Sequence, residues 1–210
     1  MKPVIEEIIT REWDMFDRVN NISGRAPCQD DERSFRVMRG SQFEAWDDKT
    51  LESYLQDLQT ASAGGRNLLT EKYGYMMAYT APLEFEEIKT QLPEIPAEKN
   101  ILIQKITRRQ IEWYGQTARL FPLLASRGRP VHHGEGGMFD TSVEVYLIGE
   151  LSTYSMDTLC AYDSYTEKLA AEGKNISHMI LENTVKEHGY ASVEETEAYL
   201  AKQHEPNSDK

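Results

Sequence analysis

The chain has 210 residues, a length typical of a single domain, and a formal net charge of −12 at pH 7. Hydrophobic residues make up 40% of the sequence, which is enough for a packed core and excludes wholesale disorder. The acidic surplus repels phosphate backbones and anionic lipid, so we expect neither nucleic acid nor a membrane as a partner.

The sequence also indicates a cellular compartment. Cys28 and Cys160 lie far apart in unlike surroundings, which is typical of two reduced thiols rather than a disulfide framework. The N-terminal segment has no apolar run of signal-peptide length, and no stretch approaches the roughly 18 apolar residues of a membrane-spanning helix. We therefore expect a cytoplasmic location.

Helical periodicity dominates the first half of the chain. Pro3 is well placed in a first helical turn, and the pair Gly64-Gly65 stops a later helix that Asp47 or Asp48 caps. The predicted helices cover about 3–21, 32–45, 48–63, 68–80 and 83–91, with an ordered loop at 24–31.

The second half is predicted to hold the two longest helices, at 100–126 and 141–171, followed by helices at 177–187 and 192–202. Thr141 and Glu144 form a T-x-x-E capping box. Strand signals are weak. These patterns predict an all-α fold, a bundle of long antiparallel helices with shorter peripheral ones. We expect one domain over residues 1–203 and a frayed polar tail at 204–210.

Polar side chains interrupt the apolar stripes of three predicted helices. Glu12, Gln110 and Glu150 each occupy an inward position, and Tyr154 lies one turn after Glu150. A carboxylate buried among apolar groups has a raised pKa, which suits general acid–base catalysis by Glu12 and Glu150. Gln110 and Tyr154 would then orient a substrate. The alternative is that each is a structural polar residue bonded to a neighbouring helix or water.

Arginines recur between residues 25 and 39. Arg33, Arg36 and Arg39 are spaced three apart, and Arg is the preferred side chain for bidentate recognition of carboxylate or phosphate. We expect Arg25, Arg36 and Arg39 to hold an anion, with Cys28 as a nucleophile or a pocket wall. The alternative is that the arginines pair with nearby acids and Cys28 is a small buried hydrophobic residue.

A second basic run begins at Lys105 and ends at His132-His133. If it folds against the arginine row, the two create one electropositive pocket; otherwise it is a solvated helix face. A metal hypothesis combines Glu12, Glu144, Glu150 and a His, although the Cys spacing of zinc sites is missing. The sequence also lacks a phosphate-binding glycine loop and the elbow motif of serine hydrolases. The cofactor is left open.

Several strings resemble an uncharacterised bacterial domain family. They are REWDMFDRVNNISGRAPCQDD, FRVMRGSQFEAW, EKYGYMMAYTAP and VEVYLIGELSTYS, and together they span nearly the whole chain. The resemblance implies no settled activity and brings no catalytic residues with it.

Three functions remain open from the sequence. The first is an enzyme or specific binder that acts on a small anionic metabolite inside a helical bundle. The second is a non-enzymatic interaction module or homodimer, which an exposed apolar patch would favour. The third is a metal-dependent bundle enzyme.

Overall fold

The apolar stripes of the sequence become eleven α-helices, and no strand occurs, in the part of the chain that the computed structural model describes, residues 1–20, 24–135 and 141–204. The prediction of an all-α bundle is confirmed. In chain order the helices are α1 (Pro3–Asp17), α2 (Glu32–Glu44), α3 (Asp48–Ala63), α4 (Leu68–Thr80), α5 (Pro82–Ile88), α6 (Ala97–Leu120), α7 (Pro122–Ala125), α8 (Val143–Thr153), α9 (Met156–Ala171), α10 (Ile176–Glu187) and α11 (Val193–His204).

The main core lies between the inward faces of α1 to α4 and those of α6 and α8 to α10. Aromatic rings fill its centre: the centroids of Trp46 and Tyr162 are 4.7 Å apart, and those of Tyr54 and Tyr154 are 4.8 Å apart. Such pairs add stabilisation beyond the area they bury. One interior is shared by α1, α2, α3, α4 and α8.

A glycine allows α4 and α8 to approach closely. A Cβ added at Gly149 would lie 2.9 Å from the backbone carbonyl oxygen of Lys72 and 2.5 Å from Cγ of Met76. Any larger residue at this position therefore forces the two helices apart. This contact sets the distance from Lys72 to the inner face of α8.

A smaller apolar cluster joins the C-terminal elements. Phe121, Val185 and Val193 are buried together, where α10 and α11 meet the end of α6. The Glu197 carboxylate of α11 accepts hydrogen bonds from the first free N–H groups of α7, at 2.8 and 2.9 Å. This side chain satisfies donors that a short helix leaves unpaired.

The prediction of one helix over 141–171 is wrong, because the chain breaks at Tyr154. The Ser155 hydroxyl caps α9 by accepting from the Thr158 N–H at 3.2 Å, and Asp57 of α3 accepts the Ser155 N–H at 2.9 Å. The predicted N-cap of α8 is also wrong. The hydroxyl of Ser142, and not that of Thr141, accepts the N–H of Val145.

Two other helix ends differ from prediction. The helix expected to reach residue 126 ends at Leu120, because Pro122 lacks the N–H that would continue it and α7 follows. The first helix ends at Asp17, where the buried Gln29 amide donates to the carbonyls of Phe16 and Val19, both at 2.9 Å. Gln29 belongs to a 3₁₀ turn inside the predicted ordered loop.

Two expectations concern the C-terminal end of the chain and membrane-spanning helices. The tail at 204–210 falls, from residue 205 onward, outside the described residues, and the domain boundary at 203 stays a prediction. Among the helices in the described ranges, none is both long enough and apolar enough to cross a bilayer.

Candidate functional site

A fully buried carboxylate on α1 binds an arginine on α2. Glu12 is 0% exposed and receives two bonds from Arg39, Nε to Oε2 at 2.6 Å and Nη2 to Oε1 at 2.5 Å. The hydroxyl of Tyr54, on α3, donates to the same Oε1 at 2.6 Å. The paired bonds are the fork geometry that fixes a guanidinium in one orientation.

A second carboxylate, on α8, meets the other edge of Arg39. Glu150 Oε1 lies 3.1 Å from both Nη atoms, and Oε2 accepts from Lys72 Nζ of α4 at 2.7 Å. Tyr154 donates to Oε1 at 2.8 Å and Gln42 at 2.9 Å. These contacts join five helices into what we call the ionic network. Its members are Glu12, Arg39, Gln42, Tyr54, Lys72, Glu150 and Tyr154.

The charges of the ionic network balance, with two carboxylates against two cations. Burial alone would raise the pKa of Glu150, but Arg39 and Lys72 outweigh burial and hold it well below its usual range. The raised pKa that the sequence suggested for Glu150 is therefore wrong for this state. Burial, together with the carboxylates, raises the pKa of the Tyr54 and Tyr154 hydroxyls, which remain hydrogen-bond donors.

The ionic network approaches the surface at one side. The side chains of Arg39, Glu150 and Lys72 are 12%, 11% and 9% exposed, whereas Glu12 has no exposure. Leu68, Leu69 and Thr153 complete the lining, and the enclosed space has no room for a water molecule. A ligand therefore reaches these cations only if a side chain of the network moves.

Arg25 and Arg36 do not join Arg39. Arg25 binds Asp17 at 2.5 Å and Asp30 at 2.7 Å, and Arg36 binds Glu32 at 2.8 Å and Glu6 at 3.3 Å, all at the surface. Nearby carboxylates thus take up two of the three arginines expected to hold an anion. The correction has a simple cause, since only Arg39 lies on the inward face of α2.

Cys28 and Gln110 also lie apart from the ionic network. Cys28 is exposed rather than buried. Gln110 donates to the Tyr162 hydroxyl at 2.8 Å. Burial raises the pKa of Tyr162 most, and the charge of Glu150 adds to it. Gln110 therefore contacts Tyr162, which is not a member of the ionic network.

Two members of the second basic run, Lys105 and Arg109, pair with another helix. Lys105 lies 2.7 Å from both Asp163 and Glu167 of α9, and Arg109 lies 2.9 Å from Asp163. These carboxylates neutralise Lys105 and Arg109, so neither is directed at the arginine row on α2.

The residues of the metal hypothesis do not come together. Glu144 faces His132, with Oε2 3.3 Å from Nδ1, whereas Glu12 and Glu150 bind Arg39. In residues 1–20, 24–135 and 141–204, no three His, Cys, Asp or Glu side chains are grouped so as to hold an ion.

Sequence reasoning missed three members of the ionic network. Lys72 gives the clearest signal, because this cation interrupts the buried apolar positions of α4 as Glu12 interrupts those of α1. Helical periodicity places Tyr54 and Gln42 on inward faces, yet the sequence did not indicate that they bind Glu12 and Glu150. The signal was present for all three, but periodicity does not show which helices face each other.

The fold and site define a class: an all-α domain whose helices meet around a buried, charge-balanced ionic network. The chain belongs to the family described as protein of unknown function (DUF4125), whose model matches residues 2–198. The resemblance to an uncharacterised family is thereby confirmed. Comparisons with curated proteins and with solved structures gave no match.

Proposed function

We propose that this domain is an enzyme or specific binder for a small molecule carrying a carboxylate or phosphate, held by Arg39 and Lys72. The observation that supports this is the convergence of two buried cations, from α2 and α4, on one carboxylate, Glu150. Arg39 and Gln42 of α2 and Lys72 of α4 supply a ready set of donors for an anion. In this proposal the carboxylate of Glu150 occupies the position that the anion would take.

Binding in this proposal is an exchange of carboxylates. The anion of the ligand takes the place of Glu150 on Arg39 and Lys72, with Gln42 as a further donor. Glu12 keeps its bonds to Arg39 and to Tyr54, so the guanidinium stays oriented while its other edge is vacated. The cost of orienting Arg39 is thus met before the ligand arrives.

The exchange also gives Glu150 a chemical role. Bound to two cations, its carboxylate is a weak base because its pKa is held low. Once displaced into the apolar edge of the site, it loses those charges and its pKa rises toward the range of a general base. Ligand binding would thus activate the group that removes a proton from the ligand, with Tyr154 as its hydrogen-bond partner.

A thermal-shift panel of carboxylates, phosphomonoesters and nucleotides, measured on the full chain, tests the proposal. A compound well above its Kd raises the melting temperature of the wild-type protein. Arg39→Lys keeps the charge but loses the fork, and we expect it to abolish that shift. Arg36→Lys, on the same helix but at the surface, is the control and should retain it. An anion that shifts wild type and Arg39→Lys equally would exclude this site.

A second candidate is an interaction module or homodimer, which α5 favours. This helix buries none of its own residues, and Leu83 is 82% exposed. An exposed apolar side chain on an outlying helix suits contact with another protein. Light scattering of wild type and Leu83→Lys tests it: a dimer that the substitution dissociates supports this function, and a monomer in both proteins excludes the homodimer.

A further inference from the structure

Another cation, Arg129, lies outside the ionic network beside the phenols of Tyr146 and Tyr73. Arg129, which follows α7 and is exposed, places its guanidinium carbon 4.2 Å from the centre of the Tyr146 ring and donates to the Tyr146 hydroxyl at 3.1 Å. Lys72 Nζ lies 4.9 Å from the centre of the same ring. One aromatic ring on α8 thus contacts both an exposed cation and a buried one.

Within the described part of the chain, no carboxylate compensates the charge on the exposed side. Lys72 has Glu150 as its carboxylate partner, but Arg129 makes no ion pair with any described residue. Among the described residues the acids nearest in sequence are Glu135, which accepts from the His132 N–H, and Glu144, which lies 3.3 Å from the His132 ring. A guanidinium held over a ring, with donors still free, is a preorganised place for an anion.

The two phenols beside Arg129 add a donor of their own. Tyr73 and Tyr146 meet edge to face, with ring centres 6.3 Å apart. Because the Tyr146 oxygen accepts from Arg129, its own O–H remains able to donate to an anion. Burial, above all, raises the pKa of Tyr73, so this hydroxyl stays protonated at neutral pH.

We propose that Arg129 and the phenols of Tyr73 and Tyr146 form an outer subsite for a phosphate or carboxylate group, just outside Lys72. The subsite requires only these three side chains. The order of binding rests on the proposed function. The anion binds first at Arg129 and then, as Tyr146 turns aside, reaches Lys72.

Isothermal titration calorimetry of the full chain with inorganic phosphate, in a chloride-free buffer of low ionic strength, tests the subsite. Arg129→Gln removes a charge-assisted donor and should weaken phosphate binding roughly tenfold. Arg127→Gln removes an exposed arginine from the same connecting segment and should leave the affinity within about twofold, as expected for a charge acting only at long range. Equal affinities in the two variants overturn the proposal, as does a wild-type protein that fails to bind millimolar phosphate.

Arg39→Lys separates this inference from the proposed function. If Arg129→Gln weakens phosphate binding and Arg39→Lys does not, the outer subsite stands and the interior anion site fails. If only Arg39→Lys weakens it, the outer subsite is overturned and the interior site stands. Because Arg129 is exposed, its variant should keep the wild-type circular dichroism spectrum, and a loss of helicity would show a structural role instead.

Discussion

Arg39 explains why two carboxylates are tolerated inside the bundle. Its guanidinium divides its donors between Glu12 and Glu150, while Lys72 supplies the second positive charge. A charge that leaves water costs several kcal/mol unless a partner with good geometry and further hydrogen bonds compensates it. Each member of the ionic network is therefore stabilised by the others, and the loss of a charged member leaves the buried charges unbalanced.

Glu12→Gln should destabilise the protein strongly. The substitution keeps the size of the side chain but leaves Arg39 with one carboxylate in place of two, and breaking a buried ion pair costs about 3–5 kcal/mol. Urea unfolding followed by circular dichroism measures the change. Glu6→Gln, on the same helix, breaks only the exposed pair with Arg36 and should cost less than about 1 kcal/mol. Equal losses in the two variants would contradict a special role for burial.

Stability should fall in acid partly through Glu150. Its pKa in the folded protein lies below the unfolded value of about 4.3, so the unfolded chain binds the proton first as pH decreases. The contribution is fully present above that unfolded pKa and is lost as pH falls below it. We expect the free energy of unfolding to decline less steeply between about pH 5 and pH 3 in Glu150→Gln than in wild type. Parallel pH profiles for the two proteins would contradict this assignment.

At the level of elements, most helices could be predicted, but the break inside the helix expected over 141–171 could not. The stripes of α1 to α4 and the start of α10 follow from periodicity and caps visible in the sequence. The break between α8 and α9 depends on Asp57, whose carboxylate on α3 holds the Ser155 N–H. A partner this distant in the chain leaves no mark in the local pattern around residue 155.

Gly149→Ala should separate α4 from α8. The added Cβ meets backbone at Lys72, which cannot move aside as a flexible side chain can, and overpacking of this kind costs about 1–3 kcal/mol. The same shift would lengthen the contact of Lys72 with Glu150. Gly115→Ala on α6 is the matched control, because its Cβ meets only Arg119 at 3.6 Å, and it should stabilise by up to about 1 kcal/mol. Thermal unfolding of both variants measures the difference, and destabilisation by both would refute the packing argument.

At the scale of the whole molecule, two apolar clusters of unequal size predict two levels of stability. The small cluster around Phe121, Val185 and Val193 holds α7 and α11, whereas the main core unites most other helices. Helices with few buried contacts open without global unfolding. Hydrogen exchange measured by mass spectrometry should show faster exchange in α11 than in α8 under native conditions. Equal protection of the two helices would show that the clusters unfold together.

The sequence by itself determined the helical class, the approximate position of most helices, and two carboxylates that had to find partners inside the core. These follow from local periodicity and from the cost of burying charge, both of which act along a single helix. Only the tertiary structure decided that Glu12 and Glu150 share Arg39, that Lys72 completes the charge balance, and that Arg25 and Arg36 remain outside. The physical reason is that pairing depends on which helix faces meet, and that arrangement is set by packing between residues far apart in the chain.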